Sequence, residues 1–179
     1  MLRLAKATRN DVFYDLGCGR AQLCITAVSE FGVKRAVGIE RLKRRADKAT
    51  NHVRSLGLQR RIEIRNEEFY DSDLSDATIA YNGLTEELRD LTFYESSLRR
   101  GCRLVTLSLP IVGVLANSVD YPFYLMKRPF RKTRKASDWI QSVLSKRASL
   151  REFFKEIGDD PDYWNDMRTL KSLIGERFS

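Results

Sequence analysis

The stretch Val12-Phe13-Tyr14-Asp15-Leu16-Gly17-Cys18-Gly19-Arg20-Ala21-Gln22-Leu23 constrains the fold more than any other part of the chain. Aromatic and β-branched residues ending in a carboxylate read as a buried strand. Two glycines follow, and without Cβ atoms they let the backbone turn tightly and lie against a ligand. Apolar residues at helical spacing then continue through Leu23, Ala27, Val28 and Phe31, and Gly32 is placed as a C-cap. Strand, glycine turn and helix form the opening unit of a doubly wound sheet, whose ligand crevice lies outside the carboxyl ends of the strands.

The remainder keeps the same alternation up to residue 107. Residues 1–8 read as the end of a helix that leads into the first strand. A second strand is expected over residues 33–40, apolar at Ala36-Val37-Gly38-Ile39 and ending in Glu40. A basic helix over residues 41–56 is closed by Gly57, and a third strand spans 61–65. A polar loop over 66–76 leads to a fourth strand over 77–81, a helix over 85–100 and a fifth strand over 102–107. This order predicts an α/β fold with a doubly wound, mostly parallel, Rossmann-like sheet. Pro110 ends the regularity, and residues 111–116 and 121–126 are expected to pair antiparallel around a turn at 117–120.

The composition shifts at Lys127. Six of the nine residues from Lys127 to Lys135 are basic, which reads as a linker or loop. Helical periodicity follows over residues 137–146, 149–157 and 161–173, with Ser137, Ser149 and Asp160 as N-caps. The expected division is a ligand-binding domain over residues 1–130, then a basic linker and short C-terminal helical extension over residues 131–179.

Spacing in the glycine turn identifies the ligand class. A dinucleotide fingerprint needs a third glycine three residues after the second, where Gln22 stands, and needs no acid ahead of the first. Here Asp15 lies two residues before Gly17, and Ala21 takes the third small position two after Gly19. An acid at the strand end accepts from an ammonium while turn N–H groups approach a carboxylate, and the methionine part of S-adenosylmethionine carries both. Glu40 is placed for the ribose hydroxyls, and Glu68 with Phe69 for adenine, through a polar contact and an apolar wall. The cofactor-binding set is thus Asp15, Gly17, Cys18, Gly19, Glu40, Glu68 and Phe69, with Asn82 at the end of the fourth strand. Asp15 taken alone would serve equally as an N-cap.

Other chemistries find little support. The single histidine, His52, has no cysteine or carboxylate cluster beside it, so neither a histidine-based zinc site nor a Ser-His-Asp triad is expected. Cys18, Cys24 and Cys102 have no Cys-x-x-Cys spacing and read as reduced packing residues. No apolar run is long enough to span a bilayer and the first residues lack a signal-peptide core, so a cytoplasmic, possible nucleoid-associated protein is expected. A net charge of +8 at 179 residues points to an acidic partner such as nucleic acid, with Lys127, Arg128, Arg131, Lys132, Arg134 and Lys135 as its contacts.

Phe13-Tyr14-Asp15-Leu16-Gly17-Cys18-Gly19, followed by Val37-Gly38-Ile39-Glu40, resembles the class I S-adenosylmethionine methyltransferases. With Tyr81-Asn82-Gly83-Leu84 after the fourth strand, the pattern looks most like the seven-stranded, non-SET lysine methyltransferases. These comprise the disruptor-of-telomeric-silencing family and its archaeal relatives, which act on small basic chromatin proteins. The resemblance covers residues 1–110, with Ala21 in place of the usual third glycine. It implies a seven-stranded methyltransferase sheet and a basic protein substrate methylated on lysine. It also places Asn82 and Tyr81 at the acceptor, Asn82 orienting the amine and Tyr81 lining its channel. A nucleic-acid N-methyltransferase is the alternative, although a base-holding site wants a proline pair and an aromatic where Gly83 and Leu84 follow Asn82. A further alternative is a nucleic-acid-binding module that keeps the cofactor fold without catalysis.

Overall fold

A computed structural model describes residues 1–84, 90–135, 137–139 and 142–143. Its first strand, β1 (Val12–Leu16), is followed by the glycine turn and helix α1 (Gln22–Ser29). Strand β2 (Arg35–Ile39), helix α2 (Lys43–Ser55) and strand β3 (Ile62–Arg65) come next. The polar loop after β3 contains a 3-10 turn (Phe69–Asp71) and leads to β4 (Ile79–Asn82), helix α3 (Leu91–Ser97) and β5 (Arg103–Leu107).

These five strands join β7 (Ser118–Asp120) and β8 (Phe123–Lys127) in one seven-stranded sheet of order β3-β2-β1-β4-β5-β8-β7. Strands β1 to β5 run parallel, and β8 lies antiparallel to both β5 and β7. Strand order reverses between β1 and β4, which is where such a sheet opens a crevice. Register does the rest. Leu16 pairs with Ile39 on one side and Asn82 on the other, so Gly17, Glu40 and Gly83 emerge together at one edge.

Both faces of the sheet are covered, which is why its strands are nearly continuous in apolar residues instead of alternating. On one face Phe13, Ala36, Ile62 and Ile79 pack against Ala27 and Val28 of α1, Ala49 and Val53 of α2, and Leu2 and Ala5 near the chain start. On the other, Tyr14, Val37, Ala80 and Leu104 pack against Leu74, Phe93 and Tyr94, together with Ile111, Val114 and Phe130. Cys18, Cys24 and Cys102 are all buried and unpaired, as expected for packing residues. Helix α2 ends in the bond pattern of a Schellman motif: Gly57 at φ 70° donates to the Arg54 carbonyl at 2.9 Å and Leu58 to that of Val53 at 3.1 Å.

Four expectations are corrected. Residues 1–8 make a single turn, with Ala5 N–H donating to the Met1 carbonyl at 3.0 Å, and no longer helix. The helix expected from residue 85 begins at Leu91, because Asp90 leaves helical geometry and accepts from the Phe93 N–H at 2.9 Å as an N-cap; residues 85–89 lie outside the described set. Residues 121–126 do not pair with 111–116: the partner of β8 is β7, within the stretch read as the turn, while β6 (Val114–Leu115) pairs with β9 (Arg131–Lys132). The basic run therefore does not leave the domain as a linker. Phe130 is buried, and Trp139 beyond it is fully buried with its indole N–H donating to the Ile111 carbonyl at 3.1 Å. Spacing cannot show this, since these pairings join residues far apart in sequence. Most of the expected helix over 137–146, and those over 149–157 and 161–173, lie outside the described residues.

Candidate active site

A cleft of about 300 Å³ opens at the carboxyl ends of β1 and β2, lined by Gly17, Ile39, Glu40, Leu42, Arg45, Glu68, Phe69 and Leu84 among others. The turn that forms one wall is clamped from below: Gly17 and Cys18 both donate their N–H to the Ile39 carbonyl at 2.9 Å. Gly17 sits at φ 95° and Gly19 at φ 55°, conformations that explain glycine at both positions. Ala21 also lies in the left-handed region, at φ 61°, as the N-cap of α1. That is the physical reason a glycine suits the third small position.

Glu40 stitches the site together. Its carboxylate accepts from the Gly19 N–H at 3.1 Å and from the Leu42 N–H at 2.9 Å, joining the glycine turn to the start of α2. The turn N–H groups expected to meet a ligand carboxylate are thus engaged inside the protein, at Gly17 and Cys18 by Ile39 and at Gly19 by Glu40. Leaving a buried acceptor and a neighbouring backbone donor both unpaired is costly, which favours these bonds.

Asp15 is 3% exposed and makes no hydrogen bond or ion pair among the described residues. Burial, and next the charge of Glu40, push its carboxyl up from 3.8 to about 7. Burial and then the Asp15 charge likewise raise the Tyr81 hydroxyl, and burial lifts the Cys18 thiol to about 12. Two buried carboxylates stand at adjacent strand ends, and neither is ion-paired with a cation among the described residues. Such a pair favours a cationic ligand rich in hydrogen-bond donors. Among the described residues there is no cluster of three or more His, Cys, Asp or Glu side chains that could hold a metal ion.

The cleft gathers Gly17, Glu40, Glu68 and Phe69 from the expected set; Asp15, Cys18, Gly19, Tyr81 and Asn82 lie beside or beneath it. Glu68 caps the 3-10 turn, accepting from the Phe69 N–H at 3.3 Å, and its other oxygen lies 3.9 Å from Arg41. Phe69 is held by Tyr70, stacked at 4.4 Å, and by Phe93, edge-on at 5.6 Å. The Cys18 thiol turns inward onto Gly38, where any Cβ would come within 2.7 Å of the sulfur. Asn82 is fully buried, its side chain donating to the Tyr94 hydroxyl and accepting from the Leu84 N–H at 2.7 Å, so the side-chain carbonyl expected to orient an amine is occupied in shaping the loop after β4.

Tyr81 is half-buried against Phe123, with ring centres 6.4 Å apart, and its hydroxyl lies 2.9 Å from where a Cβ on Gly83 would stand. Leu42 and Leu84 were not expected at the site. Both are large apolar side chains left about half exposed on the cleft wall, and Leu84 lies over Gly17. Only the fold exposes them; their one sequence signal is position, two residues after the strand-end residues Glu40 and Asn82.

No family model matches the chain. Over 115 residues it is 34% identical to a protein-lysine N-methyltransferase of Saccharolobus islandicus, a match spanning 63% of this chain and 71% of that protein. Among solved structures it is similar to an RNA methyltransferase from Salinibacter ruber bound to S-adenosyl-L-homocysteine. That likeness has a TM-score of 0.65 and 27% identity, covering 70% of this chain and 86% of the other. It also resembles a geranyl diphosphate C-methyltransferase from Streptomyces coelicolor, also bound to S-adenosyl-L-homocysteine, at TM-score 0.51 and 28% identity, over 57% of this chain and 40% of that one. S-adenosylmethionine is the ligand that answers both the strand order and the charge deficit at Asp15 and Glu40, and the chain belongs to the class I S-adenosylmethionine-dependent methyltransferases.

Proposed function

We propose that this methyltransferase transfers its methyl group to lysine amines of basic, chromatin-type proteins. The observation that carries the lysine reading is the 34% identity, over 115 residues, to the Saccharolobus protein-lysine N-methyltransferase. Bound S-adenosylmethionine supplies a methyl group on a sulfonium, already an activated leaving group, so the protein's work is alignment and exclusion of water.

Each residue then has a task. Asp15 accepts from the ligand ammonium and is drawn to its ionised form by it. Glu40, already fixed by two backbone N–H groups, offers its remaining lone pairs to the ribose hydroxyls. Glu68 and Phe69 border the adenine, with Leu42 and Leu84 as apolar walls. Gly17, Cys18 and Gly19 shape the turn. On the acceptor side, Tyr81 and Phe123 form an aromatic surface that favours an uncharged amine by desolvation, and Asn82 contributes through the backbone it holds. Residues 1–130, together with β9 and Trp139 that pack back onto them, form the methyltransferase domain in this reading.

A second reading, methylation of RNA, is favoured by the likeness to the Salinibacter RNA methyltransferase. Gly83 and Leu84 in place of a proline pair and aromatic count against a base slot. Incubation with methyl-labelled S-adenosylmethionine, lysine-rich protein and RNA separates the two. Label on lysine of the protein is expected; label confined to RNA reverses the order.

A further inference from the structure

Beside the cofactor cleft lies a second pocket of about 370 Å³, lined by Gly19, Arg20, Arg44, Arg45 and Lys48. Every side chain on its wall is a cation, and all four are exposed. Neighbouring acids are engaged elsewhere: Asp47 with Lys43 at 3.0 Å and Glu68 with Arg41 at 3.9 Å, so none of the four has an ion-pair partner among the described residues. Arg20 is carried to α2 by the glycine turn, where its carbonyl lies 3.4 Å from the His52 ring. Arg45 lines both this pocket and the cofactor cleft.

The stability of α2 does not account for this cluster. Its first turn holds Lys43, Arg44 and Arg45 with no acid and no side-chain cap, at the end where the helix dipole repels cations. Arg44 and Lys48 are like charges four apart on one face, a mildly unfavourable pairing. The charges are therefore concentrated against local preference, at the rim of the methyl-donor site.

We propose that Arg20, Arg44, Arg45 and Lys48 bind the phosphodiester backbone of a polynucleotide beside the cofactor cleft. Exposed cations gain little from one small anion, because solvent and salt screen each contact. A polyanion engages several at once and releases its condensed counterions, which gives strong, salt-dependent binding. The assignment stands whichever acceptor is methylated; a nucleic-acid-bound basic protein would be brought to the donor by the polymer it sits on. It also differs from the run at residues 127–135, where Arg128 is turned onto the Leu98 carbonyl and Lys132 pairs with Glu95 at 2.8 Å.

The test is fluorescence anisotropy of the whole chain with labelled single-stranded RNA and the same sequence as DNA, between about 50 and 200 mM salt. Four neutralised phosphates predict a logarithmic slope of about −3 for both strands. In Arg44→Gln/Lys48→Gln affinity should fall at least about tenfold at the lower salt and the slope shrink by about 1.4. Its melting temperature should stay level or rise, since one cation leaves the positive end of α2 and the like-charge pairing of residues 44 and 48 is relieved, so weaker binding is not unfolding. Undiminished binding by this variant overturns the proposal. So does a loss that occurs only in Arg131→Gln/Lys132→Gln/Arg134→Gln/Lys135→Gln, or binding of inorganic phosphate without binding of either polymer.

Discussion

The two sides of the sheet are built by different rules. From β1 to β3 every strand is parallel and joined to the next by a helix, and β1 and β2 are buried on both faces. From β5 onward the connections are short and irregular, β8 reverses direction, and the small β6–β9 pair folds back on the domain. The cofactor cleft stands on the first side. The surface proposed to face an acceptor, with Tyr81, Phe123 and the loop after β4, stands on the second. A donor common to many enzymes is thus held by regular elements whose register fixes Gly17 and Glu40 side by side. The side that must fit one particular acceptor is assembled from segments that vary without disturbing that register.

The sharpest way to break this contrast is Trp139→Ala. If the chain after residue 130 were a mere appendage, the melting temperature would not change. A fully buried indole bonded to the Ile111 carbonyl should instead cost about 3–5 kcal/mol, read by denaturant unfolding. Next in size is Asp15→Asn, expected to weaken S-adenosylmethionine binding by about 1.5–3 kcal/mol, roughly 10- to 150-fold by calorimetry.

The same carboxyl predicts two opposite pH effects. Its folded value, raised to about 7, exceeds the ordinary 3.8, so the unfolded chain ionises it first. The cofactor-free protein should therefore lose stability as pH rises from about 4 to about 7 and hold level above, while cofactor affinity increases over the upper part of that range. Asp15→Asn should flatten both profiles and raise the melting temperature of the free protein at pH values above about 7. A variant that binds worse yet melts higher marks a site kept for its ligand at the expense of the fold.

Gly83→Ala probes the acceptor side. Its Cβ would meet the Tyr81 hydroxyl at 2.9 Å, so the ring must shift, and turnover should fall about tenfold while cofactor affinity stays within about twofold. An equal loss in both would join the two sides. The smallest effect is expected for Ala21→Gly. Relief of left-handed strain, about 1–2 kcal/mol, is offset by the greater freedom of glycine in the unfolded chain and by loss of one buried methyl. The net change should lie within about 1 kcal/mol of zero.

Residues 12–107 were legible because each element there carries its own signal. Val12 to Leu16 carries aromatic and aliphatic residues around one acid, Asp15, over the length of a strand, α1 and α2 have helical spacing, and Gly57 stands where a helix must end. Asp90 shows the limit: it lies inside a helical pattern yet starts the helix, because its side chain finds the Phe93 N–H. The positions of the two acids at neighbouring strand ends were legible too, because Asp15 and Glu40 each close an apolar strand signal, although Asp15 taken alone would serve equally as an N-cap. Their satisfaction was not. That Glu40 takes the Gly19 and Leu42 N–H groups, and that Asn82 spends its amide on Tyr94 and Leu84, depends on where three strand ends meet.

The amino-acid sequence by itself thus determined the parallel half of the sheet, the glycine turn and the class of donor, all of which follow from short-range periodicity and the spacing of a few residues. Tertiary structure alone decided that the basic run returns to pair with β6, that Trp139 completes the core, that Leu42 and Leu84 wall the cleft, and that four cations from the turn and α2 share one pocket. The physical reason is reach. Backbone conformation is biased by near neighbours, whereas pairing, burial and electric field are settled by groups brought together only when the chain closes on itself.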